Sequence, residues 1–404
     1  MHPATAQPPS TDAVAARRRT LLLAGCGALA AGSGFAVARQ WAAGRAGATG
    51  KAAGASVQPA AEAPLQRTAP AIVRGNGVHG PRGMVWVPAG RFMMGSDSKL
   101  AQLNEKPAHP VSVGGFWIDE THVTNDQFAA FVAATAYVTT AERKPRWEDL
   151  KVQLPPDTPQ TAPALLLPGA MVFVGTERQV DLRDWSQWWQ FVPGANWRHP
   201  QGPRSSIDGK GAHPVVQVSH ADALVYAKWA GKRLPTEAEW EFAARGGLEQ
   251  ATYGWGEEFA PDGQRMANVW QGQGGVFPVL GRGAVRRGAK AAGLVGTMPA
   301  RSFPANGYGL YDMTGNAWQW VADWYRADQF GRHAPGQLQA DPQGPKASWD
   351  PDDTSAAASA PKRVTRGGSF LCNEDYCLSY RPSARRGVDP LNPMSHIGFR
   401  LVKA

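Results

Sequence analysis

Two cysteines near the C-terminus are the residues whose type and spacing could do the most chemistry. Cys372 and Cys377 lie in Gly367-Gly368-Ser369-Phe370-Leu371-Cys372-Asn373-Glu374-Asp375-Tyr376-Cys377. The third cysteine, Cys26, falls in an N-terminal leader. Spacing alone leaves three readings open. A disulfide suits an oxidising compartment, although it would close a very short loop, where the entropic gain is smallest. Two thiolates with no histidine beside them suit a monovalent soft cation such as Cu(I), which accepts two sulfur ligands. Zinc would need four ligands, and no second pair is present to complete them. The third reading is a redox-active dithiol.

The elements that must hold this pair in place are short. Met84-Val85-Trp86-Val87 and Arg91-Phe92-Met93-Met94 read as two strands joined by a Pro/Gly turn, and Val111 to Ile118 as another strand. Thr124-Asn125-Asp126-Gln127 is a capping-box pattern, with Phe128, Phe131 and Val132 following at helical spacing. Ser219-His220-Ala221-Asp222 opens a second helix that Gly231 stops. Thr236-Glu237-Ala238-Glu239 opens a third, ended by Gly246-Gly247. Long irregular stretches remain at roughly 141–212, 248–305 and 326–362. Loops of that length are functional or are held by ions. Trp185, Trp188, Trp189 and Trp197 either line a groove or, more simply, pack their loop onto the core.

The 404 residues include 46 Gly, 33 Pro and 16 Trp, a mix that points to one compact, loop-rich domain with few long helices. The net charge of +9 looks suited to nucleic acid, but residues 1–75 hold eight basic and two acidic side chains. Most of the excess thus belongs to the leader and linker, which removes the support for a nucleic-acid partner. Arg17-Arg18-Arg19-Thr20 precedes a weakly apolar run from Leu21 to Ala38, which reads as a twin-arginine-like export signal over 1–38. Retention as a membrane anchor and lipidation at Cys26 are the rival readings, and an exported, periplasmic protein is the expectation. Residues 39–75, rich in Ala, Gly, Pro and Gln, read as a disordered linker before a domain at 76–404.

Several blocks resemble the formylglycine-generating enzymes, or sulfatase-modifying factors. They are Met84 to Gly95, Gly194-Ala195-Asn196-Trp197-Arg198-His199-Pro200, His213-Pro214-Val215, and Trp229 through Glu241. Asn306-Gly307-Tyr308-Gly309-Leu310-Tyr311, Gly315-Asn316-Ala317-Trp318, the Gly-Gly-Ser-x-x-Cys-x4-Cys segment and Gly398-Phe399-Arg400 complete the set. The resemblance implies a single α+β domain, similar to C-type lectins, with little regular secondary structure. It implies Cu(I) held between Cys372 and Cys377, with Ser369, Trp318 and Tyr376 lining the oxygen and substrate pocket. It implies a monomer that uses O2 to oxidise a cysteine, in an unfolded sulfatase Cys-x-Pro-x-Arg segment or a similar protein, to formylglycine. It also implies two structural calcium sites, one at Asp312, Gly315, Ala317 and Gln319, the other at Asn268, Val269 and Leu294. At the first, Asp and Gln stand where the family shows Asn and Glu. At the second the expected acid falls near Ala292, in a loop made basic by Arg282, Arg286, Arg287 and Lys290.

Two other functions compete. A non-catalytic binding module could use the same scaffold with Cys372–Cys377 as a plain disulfide. A sulfoxide synthase using non-haem iron would need a separate histidine-bearing helical domain, for which the chain has no room.

Overall fold

The computed structural model describes residues 71–404 apart from 273–274 and 282–294. The export signal, the linker up to residue 70, the basic loop and Leu294 lie outside the described residues. Among the described residues, three helices of nine to eleven residues pack against four small sheets.

The helices are α1 (Asn125–Thr135), α2 (His220–Trp229) and α3 (Glu237–Arg245). All three begin as their sequences dictate. The Thr124, Ser219 and Thr236 hydroxyls accept from the backbone N–H three residues on, and the Gln127, Asp222 and Glu239 side chains bond back to the cap N–H. α3 ends at Gly246 with φ 60°, a left-handed conformation that glycine adopts freely.

The strands pair differently from the sequence expectation. Met84–Val87 and Gly90–Met94 do not pair with each other. The first joins Val73–Arg74, Phe116–Asp119 and Val402–Lys403, so the two ends of the domain lie in one sheet. The second joins His109–Val113 and Gln339–Ala340. The run from Val111 to Ile118 is two strands, because Gly114-Gly115 breaks it. A Cβ on Gly115 would sit 2.4 Å from the Trp86 ring, so the chain can pass there only as glycine. The pairing of Val73–Arg74 also starts the domain before residue 76 and takes in part of the expected linker.

The long stretch at 141–212 contains a hairpin, Gly169–Phe173 with Trp189–Pro193. Trp188, Trp189 and Trp197 are buried in the larger core and Trp185 packs against it, so these indoles mainly fasten the loop.

The sheet that matters for chemistry has the order Arg385–Val388, Arg363–Arg366, Trp318–Trp324, Ile397–Phe399. Its first two strands are antiparallel, and the segment joining them carries both cysteines. α3 packs beside it and supplies two carboxylates. Arg366 donates to Glu237 at 2.8 Å and to Glu241 at 2.5 Å. Arg385 grips both Glu237 oxygens at 2.6 and 2.7 Å, and Arg245 donates to Glu241 at 2.7 Å. All five groups are buried. Burial alone would raise the Glu237 carboxyl, but Arg385 and Arg366 more than offset it and hold it below the usual range. Removing Glu237 leaves Arg385 buried with no carboxylate and Arg366 with Glu241 alone. Glu237→Gln should therefore cost about 3–5 kcal/mol, read as a lower urea midpoint.

Candidate active site

Arg363–Arg366 ends by running into Gly367 and Gly368, at φ 90° and 70°. A Cβ on Gly368 would lie 2.9 Å from the Ser379 carbonyl and 3.1 Å from Cys372 Sγ. Glycine is therefore what lets the backbone turn back beneath the cysteine. Ser369 follows, its Oγ accepting from Leu371 N at 3.2 Å and bonded to His396 Nδ1 at 3.0 Å. Cys372 N donates to the Ser369 carbonyl at 3.0 Å, and the Cys372 carbonyl accepts from Trp270 N at 3.0 Å. Cys377 N donates to the Asn373 carbonyl at 3.2 Å, and the Cys377 carbonyl accepts from Ser379 Oγ at 2.9 Å.

Cys372 and Cys377 are joined as a disulfide, with their Cα atoms 5.2 Å apart. Of the three readings left open by spacing, this state is the oxidised pair. The two thiolates expected from the resemblance belong to its reduced form. A two-electron reduction would leave both sulfurs on one wall of a cavity of about 70 Å³.

That cavity is lined by all five residues singled out from the sequence: Cys372, Cys377, Ser369, Trp318 and Tyr376. The sequence reading missed Phe277, Arg386 and His396 and gave Trp189 only a packing or groove role; all four line it too. Tyr376 stacks on Phe277 with centroids 4.6 Å apart, and Trp189 meets the His396 ring edge-on at 4.8 Å. Burial raises the Tyr376 phenol, so it keeps its proton. Burial, helped by Arg386, pushes His396 down to about 3, so the imidazole bonded to Ser369 is neutral. A signal for Arg386 was available: adjacent arginines on a strand must face opposite ways. Phe277 and His396 come from distant loops and gave none.

The description of the family model that matches is "Sulfatase-modifying factor enzyme 1-like domain", over residues 71–404. The chain is 46% identical to the formylglycine-generating enzyme of Mycobacterium tuberculosis, over 79% of this chain and 97% of that one. It is 44% identical to the formylglycine-generating enzyme of Thermomonospora curvata, over 79% and 92%. The chain belongs to the formylglycine-generating enzyme family. It is also 36% identical to the mouse protein named inactive C-alpha-formylglycine-generating enzyme 2, over 78% and 84%. Overall likeness therefore does not separate active from inactive members, and the pocket residues must.

The family's enzymes are oxidoreductases that use copper and O2. The donor set here fits the metal. Two sulfurs on a largely aromatic wall suit a soft monovalent cation of low coordination number. Among the described residues no group of three or more His, Cys, Asp or Glu side chains could hold a metal of higher demand.

Calcium fits less well. Asp312 accepts from Arg301 N at 2.9 Å. Gln319 Oε1 is taken by Trp240 Nε1 at 2.8 Å and by Arg400 Nε at 2.7 Å. Its amide nitrogen and Arg400 both donate to the Asp312 carbonyl, at 3.3 and 3.1 Å. His122 donates to the Ala317 carbonyl at 2.9 Å, and Gly315 N donates to the Gly367 carbonyl at 2.8 Å. The chain's own donors, one of them a guanidinium, thus hold the Gln319 amide oxygen and the Ala317 and Asp312 carbonyls. The set Asp312, Gly315, Ala317 and Gln319 does not fit calcium as packed here. At the second expected site, Asn268 Oδ1 is buried without a hydrogen-bond partner and Val269 is partly buried. Leu294 lies outside the described residues, so this set is described only in part. A shift in Tm with Ca²⁺ or a chelator should be the same in Asp312→Ala as in the parent. A rise in Tm with Ca²⁺ that is lost in Asp312→Ala would show this assignment to be wrong.

A second, larger cavity has a volume of about 900 Å³, and the segment 388–394 contributes to both, Val388 and Met394 to the first and Asp389, Leu391, Asn392 and Pro393 to the second. Arg143, Lys144, Leu165, Phe191, Asp389 and Pro393 are among its lining residues. Asp389 accepts from Leu391 N at 2.9 Å, and burial pushes its carboxyl up to about 7. The unfolded carboxyl ionises near 3.8. The folded state therefore binds the proton more tightly, and on this group's account stability falls as pH rises from about 4 to about 7. Asp389→Asn keeps the acceptor and removes the charge. It should stabilise the protein by roughly 1–3 kcal/mol at pH 8 and by less at pH 5, read as Tm at the two pH values.

Proposed function

We propose that this chain oxidises a cysteine in an unfolded sulfatase Cys-x-Pro-x-Arg segment to formylglycine, with Cys372 and Cys377 in reduced form holding Cu(I). The supporting observation is the sulfur pair on the wall of a small, largely apolar cavity, with a much larger groove lined by the same chain segment, 388–394. The groove is large enough for an extended peptide, and the small cavity for one side chain and O2.

When bound, Cu(I) would supply the electron chemistry with O2. The protein's residues do the rest. Trp318, Phe277 and Trp189 form walls that exclude water from the reacting Cβ. Ser369 Oγ, held by Leu371 N and His396 Nδ1, presents a hydroxyl at a fixed position for reduced oxygen. Tyr376, with its phenol protonated, offers a second donor beside it. The substrate loses a Cβ hydrogen, and hydrolysis then exchanges sulfur for the aldehyde oxygen.

The leader supports export to the periplasm, where the substrate segment must be met before its own protein folds. No helix among the described residues is long and apolar enough to cross a membrane.

The test uses the full chain, reduced, loaded with Cu(I) and incubated in air with a Cys-x-Pro-x-Arg peptide. The peptide should lose mass as sulfur and two hydrogens give way to oxygen, and Cys377→Ala should abolish the change. Copper bound one to one without product would mean a different substrate. No copper and a permanent disulfide would leave a binding module.

A further inference from the structure

Arg385 and Arg386 are neighbours on one strand and so face opposite ways. Arg385 is fully satisfied. It holds Glu237 by two bonds and donates to the Arg326 carbonyl at 2.8 Å. Arg386 has nothing comparable. Its Nε and Nη2 are buried without a hydrogen-bond partner. No ion pair to a carboxylate is formed by it among the described residues. Its guanidinium carbon lies 5.8 Å from the centroid of the Trp318 ring. Arg386 stands directly across the strand pair from Thr365, and both line the small cavity with Cys372 and Cys377.

A buried guanidinium with no counter-charge is expensive, and a fold keeps one only where something compensates it. Arg386 is the only charged side chain among the residues lining the cavity, and the neutral His396 adds no second charge. The disulfide is neutral. The structure therefore shows the cavity with one positive charge and no negative one.

We propose that Arg386 is the counter-charge of the sulfur pair, balancing the negative charge that Cys372 and Cys377 carry once reduced. Two thiolates, one Cu(I) and one guanidinium sum to zero, so the loaded cavity would bury no net charge. The copper part rests on the function proposed above; the sulfur part does not. Reduction takes two electrons from two glutathione thiols, which leave as glutathione disulfide. The S–S bond breaks, and each sulfur becomes a thiol or, with its proton released to solvent, a thiolate.

Two measurements on the full chain carrying Cys26→Ser test this. In the first, free of metal, the pair is equilibrated in glutathione buffers at pH 7, trapped by alkylation and read by mass. Arg386→Met should favour the disulfide at least tenfold, about 30 mV for a two-electron couple, and Arg386→Lys should restore most of the loss. In the second, Cu(I) affinity is measured against a chromophoric chelator. It should fall at least tenfold in Arg386→Met and recover in Arg386→Lys. If Arg386→Met does not fold, judged by near-UV circular dichroism, Arg386→Gln takes its place. A neutral variant matching the parent in the metal-free measurement would overturn the proposal. So would neutral and lysine variants shifted equally, which would mark a packing effect. A parent that binds no Cu(I) would refute the copper reading and leave the metal-free measurement to decide Arg386.

Discussion

Glu237 and Glu241 on α3 hold the hairpin whose connection carries the cysteines, and the position of the reacting groups follows from that grip. Arg366 reaches both carboxylates from one strand, and Arg385 reaches Glu237 from the other. One face of the strand pair is therefore fixed to a helix by charge. The opposite face, carrying Thr365 and Arg386, is left to form a wall of the small cavity. The domain has little regular structure, and its loops are long. A buried cluster of three arginines on two glutamates gives such a chain a rigid centre that apolar packing of short elements would supply less well.

The cavity is assembled from every part of the same sheet. Trp318, Thr365, Arg386 and Ile397 come from its four strands, and Ser369 and the cysteines from the connection. Trp189, from the strand Trp189–Pro193, and Phe277 and Tyr376, from loops, close it. Most of its polar groups are committed: Ser369 to His396 and Leu371, and the backbone of Cys372 to Ser369 and Trp270. Arg386 is the exception. The core arginines Arg245, Arg366, Arg381 and Arg385 pair with carboxylates and Arg400 donates to Gln319 and backbone carbonyls, whereas Arg386 keeps buried nitrogens unbonded beside a neutral disulfide. The charge of the sulfur pair depends on its redox state, and the arginine's does not.

The same contrast accounts for the calcium expectation. Membership in a family carries a scaffold, but ion sites depend on a few side chains. Gln319 in place of an acid brings an amide nitrogen that must donate, and it donates to the carbonyls of Asp312 and Met313. Arg400 is bonded to the same Asp312 carbonyl, and with Trp240 it also holds the Gln319 amide oxygen that stands where the acid would be.

Much was legible in the sequence where the signal is local. Helix starts at Thr124, Ser219 and Thr236 are capping chemistry within four residues, and Gly246 ends α3 because only its backbone tolerates that turn cheaply. The cysteine spacing and the blocks around it pointed to the family, and all five residues it nominated line one cavity. What the sequence left undecided was pairing. Whether Met84–Val87 joins Gly90–Met94 or Phe116–Asp119 depends on contacts between segments far apart in the chain, to which no short window responds. The same holds for side-chain fate: Arg385 and Arg386 are identical as letters. Only the packing of α3 against one face of their strand makes the first a structural clamp and leaves the second facing the sulfurs.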